Sequence, residues 1–132
     1  MKDQKAPNII IIDDDSINNY LTEAIIHYAL PEAKVQSFAN PRSGLDYIYT
    51  QYSLPGSNKT LLLLDVNMPD LNGWDVLEIF SGYPDAIKDQ FDIFIYSSSI
   101  SIEDKIKANE NAIVLGFIEK PLTDNQLQLI IK

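Results

Sequence analysis

Four polar sets in this chain each stand directly behind a short apolar run. Asp13-Asp14-Asp15 follow Ile9 to Ile12, Asp65 follows Leu61 to Leu64, Ser97-Ser98-Ser99 follow Ile93 to Tyr96, and Lys120 follows the run that ends in Phe117-Ile118-Glu119. Brought to one place, they supply at least three carboxylates, a hydroxyl and an ammonium. Clustered carboxylates raise one another's pKa unless a cation sits among them. Oxygen donors with few rigid constraints suit Mg2+, which keeps waters and takes one or two carboxylates plus phosphate oxygens. With the metal holding some carboxylates, another is able to attack phosphorus and form an acyl phosphate. The equatorial phosphoryl oxygens then need counter-charge and donors, for which Mg2+, the Lys120 ammonium and the Ser97 hydroxyl are suited. Each set alone has a plainer reading: acidic residues behind a strand cap helices, a lone lysine is solvated, and a serine run is a loop, with Ser101 the better cap for the helix behind it. The joint occurrence, each set behind a different run, favours the chemistry.

The runs themselves are strands by length and β-branched content, buried on both faces as in a parallel sheet. They are Ile9 to Ile12, Leu61 to Leu64, Ile93 to Tyr96 and Val114 to Ile118, with Lys34 to Phe38 a weaker fifth. Between them the spacing predicts helices. In the first, Ile17, Tyr20, Leu21, Ala24, Ile25 and Tyr28 fall on one apolar face of a helix running to about Ala29, and Pro31 stops it. Pro41 to Tyr52, Gly73 to Phe80, Ile102 to Asn109 and Thr123 to Ile131 are the others, the third cut short by Gly82 and Pro84. Strict β-α alternation implies an α/β fold with a parallel sheet, helices on both faces and right-handed crossovers. Five strands suit the flavodoxin-like order 2-1-3-4-5, in which ligands sit beyond the carboxyl ends of the strands. That is where all four polar sets fall.

Other residues read as local structure. In Met68-Pro69-Asp70-Leu71-Asn72-Gly73, Pro fixes φ, Asn-Gly favours a turn, and Gly tolerates positive φ before the third helix. Trp74 is expected to pack rather than to hold a ligand, and Tyr20, Tyr28, Tyr47, Tyr49 and Tyr52 fall at helical spacings that suit core or groove packing. The single His27 is expected to be a surface or satisfied residue, not a phosphoryl donor.

At the four polar sets the chain closely resembles the receiver domain of bacterial two-component response regulators. The matching elements are Ile9 to Asp15, Leu61 through Asp65-Val66-Asn67-Met68-Pro69-Asp70-Leu71-Asn72-Gly73 to Leu77, Ile93 to Ser98, and Gly116-Phe117-Ile118-Glu119-Lys120-Pro121-Leu122; together they cover about Asn8 to Leu129. The resemblance implies that Asp65 is the phosphoacceptor and that Asp14 is a direct Mg2+ ligand, with Asp13 in the acidic pocket acting through water. It further implies that the Asn67 backbone carbonyl is a metal ligand, that the Ser97 hydroxyl follows the phosphoryl group, and that Lys120 binds it. The Lys120-Pro121 peptide is expected to be cis, aiming the lysine inward, and Phe117 matches the switch aromatic. Ser97 stands where threonine is commoner, and Phe117 lacks a tyrosine's hydroxyl; neither removes a required group. The implied partners are a histidine kinase or histidine phosphotransfer protein and a downstream protein target.

Composition narrows the alternatives. With 132 residues the expectation is one stand-alone receiver domain, its core from about residue 8 to 131. Nineteen acidic against ten basic residues give a net charge of −9, which disfavours nucleic acid and anionic membrane as partners. No cysteine is present, so disulfides and thiolate chemistry are excluded. The polar start lacks a signal-peptide core, which points to the cytoplasm and makes the sequon Asn58-Lys59-Thr60 a polar loop. An EF-hand fails because Asn18 and Ala24 occupy the glycine and bidentate glutamate positions. No Walker A or Gly-x-Gly-x-x-Gly sequence occurs. A haloacid-dehalogenase-type phosphohydrolase is the competing enzyme reading, but its Asp-x-Asp has become Asp65-Val66-Asn67, which loses the general acid. A flavodoxin-like interaction module without phosphochemistry is the third.

Overall fold

Each of the five apolar runs forms a strand in the computed structural model, which describes residues 7–56, 59–98 and 100–131. The order along the chain is β1 (Asn8–Ile12), α1 (Ser16–Ala29), β2 (Lys34–Phe38), α2 (Pro41–Gln51), β3 (Thr60–Leu64), α3 (Gly73–Ser81), α4 (Asp85–Lys88), β4 (Phe91–Ser97), α5 (Ile102–Glu110), β5 (Val114–Glu119) and α6 (Asp124–Ile130). The strands pair in parallel as β2-β1-β3-β4-β5, the order expected from the sequence. Asn58 of the sequon and Ser99 lie outside the described residues. Among the described residues no helix is long and apolar enough to cross a membrane.

Side chains alternate across the sheet and build two cores. Ile10, Ile12, Leu62, Leu64, Ile93 and Ile95 meet Leu45, Ile48, Val76, Leu77 and Phe80 of α2 and α3 on one face. Ile9, Ile11, Leu61, Leu63, Tyr96 and Ile118 meet Ile26 of α1 and Leu127 of α6 on the other. β3 is buried along its whole length, and each leucine there is worth roughly 1.5–3 kcal/mol over an exposed one. The strand that leads into Asp65 is thus the central beam of the fold.

Three expectations are corrected. The apolar stripe of α1 faces outward: Ile17, Tyr20, Leu21 and Tyr28 are 53–89% exposed, while Asn19, Thr22 and Ile26 are buried. Polar contacts set this rotation, because the Asn19 amide donates to the Asp13 carbonyl at 2.8 Å and the Thr22 hydroxyl meets that of Tyr96 at 2.9 Å, both inside. Tyr20 and Tyr28 therefore pack in neither core nor groove, whereas Tyr47 and Tyr52 pack on the core. Second, the connection after α3 holds the one-turn helix α4, begun by Pro84 and anchored by buried Ile87, a segment too short for periodicity to reveal. Third, the positive φ before α3 belongs to Asp70, at 71°, and not to Gly73.

Candidate functional site

Asp13 and Asp14 leave β1, Asp65 leaves β3, Ser97 closes β4 and Lys120 follows β5, so parallel pairing delivers all five to one edge of the sheet. Backbone hydrogen bonds fix their levels: Asp65 N–H donates to the Ile12 carbonyl at 2.9 Å, and Lys120 N–H to the Ser97 carbonyl at 3.0 Å. Asp15 caps α1 by accepting from Asn18 N–H at 3.0 Å, so the plainer reading of that acid as a helix cap holds for Asp15.

Asp13 is fully buried, and its carboxylate is crowded with donors. It accepts from Asp15 N–H at 3.0 Å, from the Asn18 amide at 3.1 Å, and from the Lys120 ammonium. The same ammonium lies 3.9 Å from Asp65 Oδ2. Asp65 Oδ1 accepts from Asn67 N–H at 3.3 Å, and Asn67 itself is exposed. Asp14 is exposed at the mouth, yet one oxygen each of Asp13, Asp14 and Asp65 lie within 4.8 Å of one another.

Burial dominates the electrostatics of Asp65 and pushes its carboxyl up to about 6. The Lys120 ammonium pulls it down, the Asp13 carboxylate raises it again, and the Asn67 N–H and Ser97 hydroxyl favour the ion by smaller amounts. An anion held this far above its ordinary value is short of positive charge.

The loop between β3 and α3 is held close by Gly73, where an added Cβ would lie 2.6 Å from the Asp65 carbonyl oxygen and 2.9 Å from Val66 Cα. Glycine is needed there for close approach, since both obstacles are backbone. Asn72 caps α3 and exchanges hydrogen bonds with Asp75 in a capping box. The Lys120-Pro121 peptide is cis, as expected. Phe117 is 39% exposed with the Lys105 ammonium 5.5 Å from its ring centre, and it pairs across the ladder with Ile95, two residues before Ser97. His27 lies on the surface, its Nε2 3.2 Å from the Ala33 carbonyl. Trp74 donates to Asp104 at 3.2 Å, a packing role between α3 and α5. Asn18 was not singled out for the site from the sequence, and its position in the first turn after the acidic triplet was the available signal.

A family model described as the response regulator receiver domain matches residues 9–132. Among solved structures, a response regulator receiver protein from Dyadobacter fermentans is similar at 25% identity and a TM-score of 0.86, with 96% of both chains covered. A two component response regulator from Cytophaga hutchinsonii is similar at 28% identity and a TM-score of 0.83, covering 96% of this chain and 94% of the other. A comparison with curated proteins found no match.

Proposed function

The chain belongs to the response regulator receiver domain family, and from that premise we propose that it takes a phosphoryl group from a phosphohistidine onto Asp65 with Mg2+ bound, then loses it by hydrolysis. A carboxylate oxygen of Asp65 bonds to phosphorus, the phosphorus–nitrogen bond of the donor breaks, and the imidazole leaves with the electron pair. The observation that carries this reading is the buried Asp65 carboxylate with the Lys120 ammonium 3.9 Å away and two further carboxylates within metal-sharing distance.

The donor set fits a hard divalent cation, being all oxygen and gathered within 4.8 Å around an acid whose burial leaves it short of positive charge. Asp14, Asp65 and the Asn67 carbonyl would hold it directly. Asp13 already accepts three hydrogen bonds, against a carboxylate capacity of about four, which suits a role through water. When bound, Mg2+ supplies charge neutralisation for the phosphoryl oxygens. Lys120 binds an equatorial oxygen, and the Ser97 hydroxyl donates to another.

The donor is a histidine kinase or histidine phosphotransfer protein, and a further protein reads the phosphorylated state. The outward apolar stripe of α1 starts at Ile17, two residues beyond Asp15, and offers such a donor a surface to rest on. Incubation with Mg2+ and acetyl phosphate or phosphoramidate, followed by intact mass, tests the reading. A transient single-phosphate adduct in the wild type, absent in Asp65→Asn, is expected. Continuous release of phosphate would indicate a hydrolase, and no adduct would indicate an interaction module.

A further inference from the structure

Tyr96 sits inside an apolar run and would pass for an ordinary core residue, but its surroundings are specific. It is fully buried between the sheet and the layer of α1 and α6, and a phenol hydroxyl there needs polar partners. It has two, from two different elements: the Thr22 hydroxyl of α1 at 2.9 Å, and the Leu122 N–H, which donates to it at 3.2 Å. Thr22 is itself buried. Leu122 lies two residues beyond Lys120, so this bond fixes the backbone of the loop that carries the ammonium. The Lys120 ammonium also stands 5.5 Å from the centre of the Tyr96 ring, within range of a cation–π contact.

Topology explains the need for such a support. Lys120 follows the edge strand β5, whereas Asp65 follows β3, and β4 lies between them. The lysine must therefore reach across β4 with a side chain rich in rotamers, and Tyr96 is the β4 residue over which its charge rests.

We propose that Tyr96 is the positioning residue for Lys120, its hydroxyl tying the β5–α6 loop to α1 and its ring supporting the ammonium that binds the phosphoryl oxygens. The proposal rests on the function argued above. It requires that Tyr96 matter to phosphoryl-group binding through Lys120 and not be needed to hold the metal, which Lys120 does not ligate.

The test is a double-variant cycle in the full chain, measuring by calorimetry the affinity for Mg2+ alone and for beryllofluoride, a phosphoryl mimic, at saturating Mg2+. Tyr96→Phe, which removes the hydroxyl and keeps the ring, is expected to weaken beryllofluoride binding by roughly three- to tenfold, the worth of a hydrogen bond, with no loss of Mg2+ affinity. In a Lys120→Ala background the same substitution is expected to have no further effect. Wild-type beryllofluoride affinity in Tyr96→Phe, an equal loss of Mg2+ affinity, or losses that add in the Lys120→Ala background would each overturn the proposal. Should Tyr96→Phe not fold, Thr22→Val takes its place in the cycle, since it frees the ring from α1 while keeping the Leu122 bond; the same outcomes decide. If the wild type failed to bind beryllofluoride, the functional reading itself would fall, a result distinct from all of these.

Discussion

Asp65 carries the largest electrostatic tension at the site. Its carboxyl is raised from 3.8 to about 6, first by burial, so the folded chain holds a proton more tightly than the unfolded one. Its contribution to stability is therefore full below the unfolded value and is lost as pH rises through about 6. At neutral pH without metal, Asp65→Asn is expected to stabilise the fold by about 1–3 kcal/mol, each pKa unit being worth about 1.4 kcal/mol. The gain should shrink as pH falls from 7.5 to 4.5, which urea unfolding with a chelator at both values will show; a gain that grows toward acid would contradict the assignment. That Asp13, Asp14, Asp65, Ser97 and Lys120 gather at one end of the sheet was legible beforehand because each stands at the end of an apolar run. Tyr96 was not, since a tyrosine within such a run looks like packing until its hydroxyl partners are known, and those partners are distant in sequence.

Among the elements, the strands and their order followed from run length and alternation, while the orientation of α1 did not. Periodicity marks an apolar face but does not say what covers it, and here Asn19 and Thr22 have stronger reasons to be inside than Tyr20 and Leu21. The location of the positive φ was missed for a related reason: Gly73 looked like its place, yet the glycine serves a close backbone approach and Asp70 takes the left-handed turn. An exposed apolar stripe that starts beside the acidic cluster has a testable use. Tyr20→Ala with Leu21→Ala should slow phosphoryl transfer from a histidine-phosphorylated protein by about tenfold or more, the range of interface hot spots. Labelling by acetyl phosphate should be unchanged, because the small donor needs no docking surface. Equal slowing with both donors would place the defect in the site instead.

At the scale of the whole molecule, the question is how an event at Asp65 reaches a surface. Ser97 and Phe117 lie on the adjacent strands β4 and β5, and Phe117 is partly exposed beneath Lys105 of α5. On the proposed function, a phosphoryl group that drew the Ser97 hydroxyl toward it would vacate space for the Phe117 ring and bias an equilibrium between two states. Ser97→Ala should still accept phosphate at Asp65 but lose the response of the face formed by α5, β5 and α6. Amide exchange around residues 100–108 and at Phe117, with and without beryllofluoride, reads this directly; an undiminished response in the variant would sink the coupling. The sheet order has one more consequence. β3 is paired on both sides and buried throughout, whereas β5, like β2 at the opposite edge, has a single neighbour, so local opening of the β5 rim frees Lys120 while the Asp65 strand stays standing. On the proposed function, an acyl phosphate at Asp65 would then lose its counter-cation before its anchor, so substitutions on the surface of β5 and α6 would change its lifetime without touching the chemistry.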